Sequence, residues 1–450
     1  MLKEITLASA VVALLVLNGC GGGNPKDLGT NTNTPETPNT GIEIPDALNK
    51  KADINDSTAS NFMRNYYEDM SGIDNVSSNS KGNFPIKGLK HFKIASQPAL
   101  NAGNDDNVTL KDISCSNDGT FSFKREVSTV TEDDMKIEIR NVYCSANNCT
   151  MNVSDYNTYK DYINYCTPDD NDYFMYSSQP QGDNTIRTYN GSVKIVRKDG
   201  EPSNENATSQ KESVEKTITA NNLTYTEEST SSDTQYYKFS NGKSWLKEIG
   251  TDSNNSEKDE LAVKGDYQYK RYDRNKTNTA QIFDGVTYKS KLNWTWNSEN
   301  NDTIYKETFN GDGYVLIYNV NGSENNKTIN SDSWAYDNVT YEKVKEGNVT
   351  TLSINGGVNN DNSCGKMLNF TTDKLVKRNK TFKDDNGDTG SVVLPYDGKV
   401  TLKGKGVAEA TFNVNDENVT SMTLKINGVE TEDSPYYKWS DVPHYMCGSK

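Results

Sequence analysis

Residues 292–297 read LNWTWN, and their alternation decides the fold class. Leu292, Trp294 and Trp296 are separated by Asn and Thr, and successive side chains of a β-strand point to opposite faces. One face of this strand is therefore apolar and the other is polar. A sheet with one buried face and one solvent-exposed face is typical of antiparallel pairing.

The same alternation recurs along the chain, for example in TFSFKREV (120–127), MKIEIRNVYC (135–144) and GYVLIYNV (313–320). No helical pattern of useful length interrupts residues 171–450. We therefore predict an all-β fold, a long antiparallel β-meander arranged as a curved sheet or a barrel-like sandwich, followed by a small disulfide-closed β-domain.

Asn-Gly and Asp-Gly pairs recur along the chain among these segments. Both central positions of the favoured two-residue hairpin turn need positive φ, which these pairs tolerate. We therefore predict hairpin turns at the pairs, which begin at Asp118, Asn190, Asp199, Asn241, Asp284, Asn310, Asp312, Asn321, Asn355, Asn386, Asp397 and Asn427.

The composition indicates a folded chain with a thin core. Hydrophobic residues make up 33% and the net charge is −15, which approaches the composition of disordered chains. The 26 Tyr, 12 Phe and 5 Trp indicate folding, because aromatic rings suit half-buried sheet faces. The negative charge argues against nucleic acid and anionic lipid as partners, since both would be repelled.

The first twenty residues, MLKEITLASAVVALLVLNGC, have a charged start, a short apolar run and a Leu-Asn-Gly-Cys end. This is the organisation of a signal peptide, here residues 1–19. Its end resembles the lipobox of bacterial lipoproteins. The resemblance implies that Cys20 carries acyl chains such as palmitate, which hold the mature protein to a membrane. Gly21, in place of Asp, favours the outer membrane, on its periplasmic face or the cell surface. The alternative is an ordinary secretory signal with an incidental cysteine.

Composition also divides the rest of the chain. Residues 20–57 are rich in Gly, Pro, Asn and Thr and nearly lack aromatic residues, which predicts a flexible, lipidated tether. Residues 58–350 form the predicted β-rich main domain, with a subdivision left open near residue 175. A turn-rich stretch then begins, and shorter Val-, Leu- and Thr-rich strands predict a small C-terminal β-domain over residues 351–450.

Six cysteines remain besides Cys20, an even number in an exported chain, and they predict three disulfides. Two bridges of unassigned connectivity are expected within the cluster formed by Cys115, Cys144, Cys149 and Cys166. The third is expected to join Cys364 to Cys447, and the rival pairing connects one of these two to the cluster. No second close cysteine pair accompanies Cys144 and Cys149, so we predict neither a metal site nor a cofactor.

The triplet Asn-x-Ser/Thr opens at nineteen positions, and eight of them have Asp or Glu two residues before the Asn. The eight are Asn55, Asn107, Asn254, Asn275, Asn301, Asn326, Asn348 and Asn418. Acids are 63 of 450 residues, so chance predicts about 2.7 (19 × 63/450). The position one residue before the Asn carries an acid in five of the nineteen, and the position three residues before it in none.

The pattern Asp/Glu-x-Asn-x-Ser/Thr resembles the acceptor sequon of the bacterial oligosaccharyltransferase. The resemblance implies that an Arg of that enzyme reads the carboxylate, that the Ser/Thr hydroxyl is recognised on the other side, and that the eight Asn side chains carry glycans. The alternative is that Asp and Asn cluster in the turns of an Asn-rich chain.

Three functions remain open at this level. Nucleophilic catalysis would need His91 or His444, and neither lies in a recognisable motif. We therefore predict a lipid-anchored, non-enzymatic envelope protein with a structural, surface or adhesive role, and no named protein or small-molecule partner. The alternative is a carrier for an apolar or lipid ligand in the concave face of the meander. A hydrolase built on paired carboxylates is the third interpretation.

Overall fold

The computed structural model describes residues 41–60, 62–63, 107–132, 134–166, 184–203, 212–230, 233–253, 256–301, 303–359, 363–383, 389–414 and 420–436. Within these ranges it contains seventeen strands and one helix of more than two turns. The strands are β1 (Val108–Ser114), β2 (Asp118–Glu132), β3 (Met135–Met151), β4 (Thr185–Pro202), β5 (Glu212–Thr230), β6 (Thr234–Ser253), β7 (Ser256–Asn275), β8 (Ile282–Asn301), β9 (Ile304–Gly322), β10 (Lys327–Ile329), β11 (Trp334–Glu346), β12 (Val349–Asn359), β13 (Leu368–Lys383), β14 (Thr389–Lys403), β15 (Val407–Val414), β16 (Thr420–Ile426) and β17 (Val429–Glu430).

All seventeen strands belong to one antiparallel sheet. Each strand from β1 to β9 pairs with the next along the chain, and the same holds from β11 to β17. β9 pairs with both β10 and β11, so the three-residue β10 covers only one end of it. The predicted all-β antiparallel meander is confirmed, as one open sheet.

The predicted hairpin turns at Asn-Gly and Asp-Gly pairs are mostly wrong. Among the described pairs, Asn427-Gly428 is the one that forms a two-residue connection, between β16 and β17. Most of the others lie inside strands, which reach 19 or 20 residues from β5 to β9. The pair at Asn386 lies outside the described residues.

Several of these glycines lie opposite a β-bulge in the neighbouring strand. Gly191 has a φ of 92°, and Asn222 across from it in β5 has a φ of 47°. A Cβ atom on Gly191 would lie 2.3 Å from the backbone oxygen of Asn222, so only glycine fits. Gly356 and Asn338 repeat the arrangement between β12 and β11, with a separation of 2.4 Å. Positive φ therefore serves a bulge at Gly191 and Gly356, whereas it serves a turn at Asn427 and Gly428.

Bulges in β3, β5 and β11 keep one face of these strands buried. In β5, Ile218 and Ala220 are buried before the bulge, and Tyr225 and Glu227 are buried after it. In a regular strand, even-numbered and odd-numbered side chains point to opposite faces. The extra residue of the bulge brings the odd-numbered Tyr225 to the same face as the even-numbered Ala220. β3 and β11 show the same change of parity at their bulges.

The buried face is lined by aromatic side chains that contact each other across strands. The ring centroids of Trp294 and Phe309 lie 5.9 Å apart, and those of Phe309 and Tyr336 lie 6.1 Å apart. These three side chains are each 3% exposed and belong to the main core cluster. Rings at these distances add to the stability gained from burial alone.

The helix α1 (Val153–Cys166) was not predicted from the sequence. Asn152 caps it, because the backbone N–H of Asp155 donates to the Asn152 Oδ1 at 2.9 Å. Tyr156 and Ile163 are buried in the main core cluster, so one side of the helix packs against the sheet. Its last residue, Cys166, forms a disulfide.

Two disulfides connect the predicted cysteine cluster. One joins Cys115 to Cys149, and the other joins Cys144 in β3 to Cys166 at the end of α1. The second bridge therefore fixes the helix to the sheet.

Residues 41–60, here called the N-terminal strap, pack against the sheet. Ile42 and Leu48 lie in a buried cluster with Met367, whereas Ala52 and Ile54 join the main core. The flexible-tether prediction is therefore wrong for the part of it that lies in the strap, because its isoleucines and leucine find apolar partners. Residues 1–40 lie outside the described part of the chain, and so do the predicted signal peptide and the remainder of the tether.

The predicted boundary at residue 351 falls inside β12, which pairs with both β11 and β13. The strands then shorten, from 16 residues in β13 to 7 in β16. Cys364 takes part in a disulfide, and its predicted partner Cys447 lies outside the described residues. Both the pairing and the separate C-terminal unit stay predictions, and the subdivision near residue 175 falls on residues that are not described.

Candidate functional site

The acid-bearing sequons lie at strand ends and in connections. Asn107 directly precedes β1, Asn326 precedes β10 and Asn348 precedes β12. Asn275 and Asn301 are the last residues of β7 and β8. The sixth described site, Asn55, lies in the N-terminal strap, and all six are exposed except the half-buried Asn275. Asn254 and Asn418 lie outside the described residues.

The sequons without an acid are placed differently. Nine of the eleven are described, and eight of these nine lie within strands, whereas Asn152 caps α1. Three occupy bulges with positive φ, namely Asn148, Asn222 and Asn338. The eight in strands are Asn148, Asn190, Asn222, Asn293, Asn321, Asn338, Asn369 and Asn379. The acid-bearing sites thus lie at strand ends or between strands, whereas most sites without an acid lie inside strands. Exposure does not separate the two groups, because Asn148, Asn190 and Asn222 are exposed as well.

Two acid-bearing sequons form closed turns on themselves. The Asn275 Oδ1 accepts hydrogen bonds from the backbone N–H (2.9 Å) and the hydroxyl (2.8 Å) of Thr277. The Asn301 Oδ1 accepts the same two bonds from Thr303, both at 3.0 Å. In such an Asx-turn the side-chain amide oxygen takes the place of a backbone acceptor. The hydroxyl of each sequon is therefore already next to its Asn side chain.

Asn55 repeats this geometry outside the sheet. The Ser57 hydroxyl donates to the Asn55 Oδ1 at 2.7 Å. The acid of this sequon, Asp53, forms an ion pair with Lys405 at 2.8 Å, and the Asp53 side chain is 67% exposed. An ion pair this exposed contributes about 0 to 1 kcal/mol, so the carboxylate is available to another cation.

Two further acid positions, Glu299 and Glu324, are also on the surface. Glu299, the acid of the Asn301 sequon, lies 2.8 Å from the Lys258 Nζ. Glu324, the acid of the Asn326 sequon, lies 3.3 Å from the Lys270 Nζ. Both carboxylate side chains are about half exposed, so these pairs are weak as well.

A buried row of charges, which was not predicted from the sequence, crosses β4, β5 and β6. Arg187, Glu227 and Lys238 occupy successive cross-strand positions. The Arg187 Nε lies 3.7 Å from the Glu227 Oε2, and their side chains are 2% and 0% exposed. The Arg187 guanidinium lies over the Tyr156 ring of α1, 3.9 Å from its centroid, and the Tyr225 hydroxyl donates to Glu227. We call these five residues the buried charge row.

Burial dominates the electrostatics of this row. It raises the pKa of Tyr225 well above the ordinary value, and the neighbouring Tyr189 and Glu227 raise it further. The Tyr225 side chain therefore stays protonated and serves as a hydrogen-bond donor. Arg187, Glu227 and Tyr225 are each at most 2% exposed, so the row is closed to solutes and holds the strands together.

An open pocket of about 300 Å³ lies among β6, β7, β8 and β9. Burial, followed by the charge of Glu257, raises the pKa of Asp259 in this pocket to about 6. The Asp259 Oδ2 accepts a hydrogen bond from the Ser298 hydroxyl at 3.4 Å. The pocket is lined mainly by charged and polar side chains, among them Lys258, Asp259, Glu260, Asn297, Glu299 and Lys306.

For the remaining predicted residues, the structure gives no distances or contacts. Cys20, His91 and His444 all lie outside the described residues. In the part of the chain that is described, no group of three or more His, Cys, Asp or Glu side chains is placed to hold a metal ion. In that same part, no helix combines the length and apolarity needed to cross a bilayer.

Comparisons with protein-family models, with curated proteins and with solved structures found no match to this chain.

Proposed function

We propose that this chain is a lipid-anchored, N-glycosylated protein of the cell envelope with a non-enzymatic structural, surface or adhesive role. The observation that carries the proposal is the placement of the sequons. The six described acid-bearing sites lie at strand ends or in the strap, whereas eight of the nine described sites without an acid lie within strands. An enzyme that modifies Asn needs access to the acceptor, and five of the six described acid-bearing Asn side chains are exposed.

The lipid anchor rests on the apolar run that ends in Leu-Asn-Gly-Cys at residues 17–20. Several acyl chains on Cys20 would hold the protein stably to a membrane, and the outer membrane is the proposed site. Between Cys20 and the strap, 20 residues would allow a reach of up to about 70 Å if fully extended. This length would allow the folded part to stand clear of the lipid surface.

The sheet itself supports a structural role over a carrier. Trp294 and Phe309 on the inner face are each 3% exposed and contact each other. A carrier needs a largely apolar concave site. The pocket among β6, β7, β8 and β9 carries the charged groups of Lys258, Glu299 and other residues, and an apolar ligand would have to displace water from them.

The anchor is tested by replacing Cys20 with Ala in the native host. The variant should leave the membrane fraction and lose labelling by a fatty-acid analogue, whereas Cys364→Ala should keep both. Retention of the label on the Cys20→Ala protein would refute the lipobox interpretation.

Glycosylation is tested at Asn107, where two acids are adjacent. Asp105→Ala removes the acid at the recognised position and should abolish modification of Asn107, with the Thr109 hydroxyl left in place. Asp106→Ala is the matched control and should leave modification unchanged. If peptides covering all eight sites are unmodified in a host that carries the transferase, the excess of acids two residues before Asn reflects only the amino-acid composition of turns.

A further inference from the structure

The acid-bearing sequons of Asn326 and Asn348 match the acceptor pattern equally well in sequence, but their surroundings in the fold differ. Residues 324–328 read Glu-Asn-Asn-Lys-Thr, and residues 346–350 read Glu-Gly-Asn-Val-Thr. In each, a Glu precedes the Asn by two residues, a Thr follows it by two residues, and the Asn is exposed in a connection between strands. Recognition of the acid, the Asn and the hydroxyl requires five residues to bind the enzyme together.

Around Asn326 all five residues are exposed. Lys327 and Thr328 belong to β10, which pairs only with the end of β9, through three residue pairs. The Glu324 carboxylate is half exposed, and its partners are the Lys270 Nζ at 3.3 Å and the Tyr272 hydroxyl. The segment can therefore leave the sheet at the loss of one short edge ladder, and edge elements open at low free energy.

Around Asn348 the second half of the sequon is part of the sheet interior. Thr350 is 8% exposed, and it pairs with Lys345 in β11 on one side and with Lys377 in β13 on the other. Glu346 and Val349 also pair with each other across the turn. Presenting the Thr350 hydroxyl to an enzyme therefore requires β12 to separate from both neighbours.

We infer that Asn326 accepts a glycan on the folded protein, whereas Asn348 accepts one only before β12 joins the sheet. The inference rests on the proposed glycosylation and concerns its timing. In the transfer, the Asn side-chain nitrogen bonds to the anomeric carbon of an oligosaccharide. The bond from that carbon to the pyrophosphate of a polyprenyl-pyrophosphate donor breaks, and the amide proton is lost to solvent or to the released pyrophosphate. Partial occupancy of Asn348 would then report competition between transfer and folding.

The experiment uses the full-length chain, purified unmodified and folded from a host without the transferase. It is incubated with a bacterial oligosaccharyltransferase and a polyprenyl-pyrophosphate oligosaccharide, and occupancy of each site is followed by mass spectrometry. Synthetic peptides covering residues 318–332 and 342–356 report how good each acceptor is without the fold.

Both peptides should be modified at rates within about tenfold of each other, whereas in the folded chain Asn348 should react at least about 100-fold more slowly than Asn326. Thr328→Ala should abolish modification of Asn326 in the folded chain. If neither peptide is modified, the proposed glycosylation fails. If both peptides react but the folded chain shows similar rates at the two sites, or none at Asn326, the proposed glycosylation stands and the inference about timing is overturned.

Discussion

Replacing Glu227 with Gln should destabilise the fold strongly. The side chain is 0% exposed, and it lies between Arg187, at 3.7 Å, and the cross-strand position of Lys238, which is 4% exposed. Gln keeps the volume but removes the negative charge, so two buried cations lose the carboxylate between them. Breaking a buried ion pair by removing one partner costs about 3 to 5 kcal/mol. Stabilities of about 5 to 15 kcal/mol make this a large share of the total.

The neighbouring residue supplies the matched control. Glu228 is 43% exposed on the opposite face, with the Arg274 guanidinium 4.0 Å away. Glu228→Gln should therefore cost no more than about 1 kcal/mol. Urea titration followed by tryptophan fluorescence measures the free energy of unfolding of both variants.

A graded variant keeps the test informative if Glu227→Gln does not fold. Tyr225→Phe removes one hydrogen bond to the Glu227 carboxylate and should cost about 1.5 to 3 kcal/mol. A Glu227→Gln protein within about 1 kcal/mol of the unaltered protein, or equal in stability to Glu228→Gln, would show that the Glu227 charge does not stabilise the buried charge row.

Three other predictions address different features. Replacing both Cys144 and Cys166 with Ala opens a loop of 23 residues (166 − 144 + 1) and should lower the free energy of unfolding by about 3 kcal/mol, as measured by urea titration. Gly191→Ala places a Cβ 2.3 Å from a backbone oxygen at a φ of 92° and should cost more than about 1 kcal/mol. Gly265→Ala, with its nearest contact at 3.5 Å, is the control and should cost clearly less in the same titration. Asp259 has its pKa raised in the folded state to about 6, so the folded protein binds the extra proton and stability falls as pH rises from about 4 to 6. Asp259→Asn should therefore be more stable than the unaltered protein above pH 6 and equal to it below pH 4, and an equal difference at both pH values would contradict the assignment.

The fold class could be predicted because alternation is a local property of the sequence. Leu292 and Trp294 are both 3% exposed on the inner face of β8, as the LNWTWN segment predicts. Trp296 shares that face and donates from its Nε1 to Glu307 at 2.8 Å. Strand boundaries could not be predicted from Asn-Gly pairs, because a turn and a bulge both require positive φ. Which of the two forms depends on the strand across from it, and that strand is distant in sequence.

The helix and the buried charges depend on contacts between distant residues. The segment 153–166 is rich in Tyr and Asn, which are weak helix formers. It is stabilised by burial of Tyr156 and by the bridge from Cys144 to Cys166. Arg187 and Glu227 are 40 residues apart and become neighbours only through the register of β4 on β5. Sequence alternation places both on an inner face but does not show that they meet.

The topology also determines where glycans would lie on the molecule. Successive strands of a meander run in opposite directions, so the connections after β8 and β11 lie at one end of the sheet, and those after β7 and β9 lie at the other. Asn301 and Asn348 therefore share one end, and Asn275 and Asn326 share the opposite end. Glycans there would flank both ends and leave the two faces of the sheet uncovered. The ends are where backbone groups leave the ladder and contact water, so hydration by glycans would act where the thin core protects the chain least.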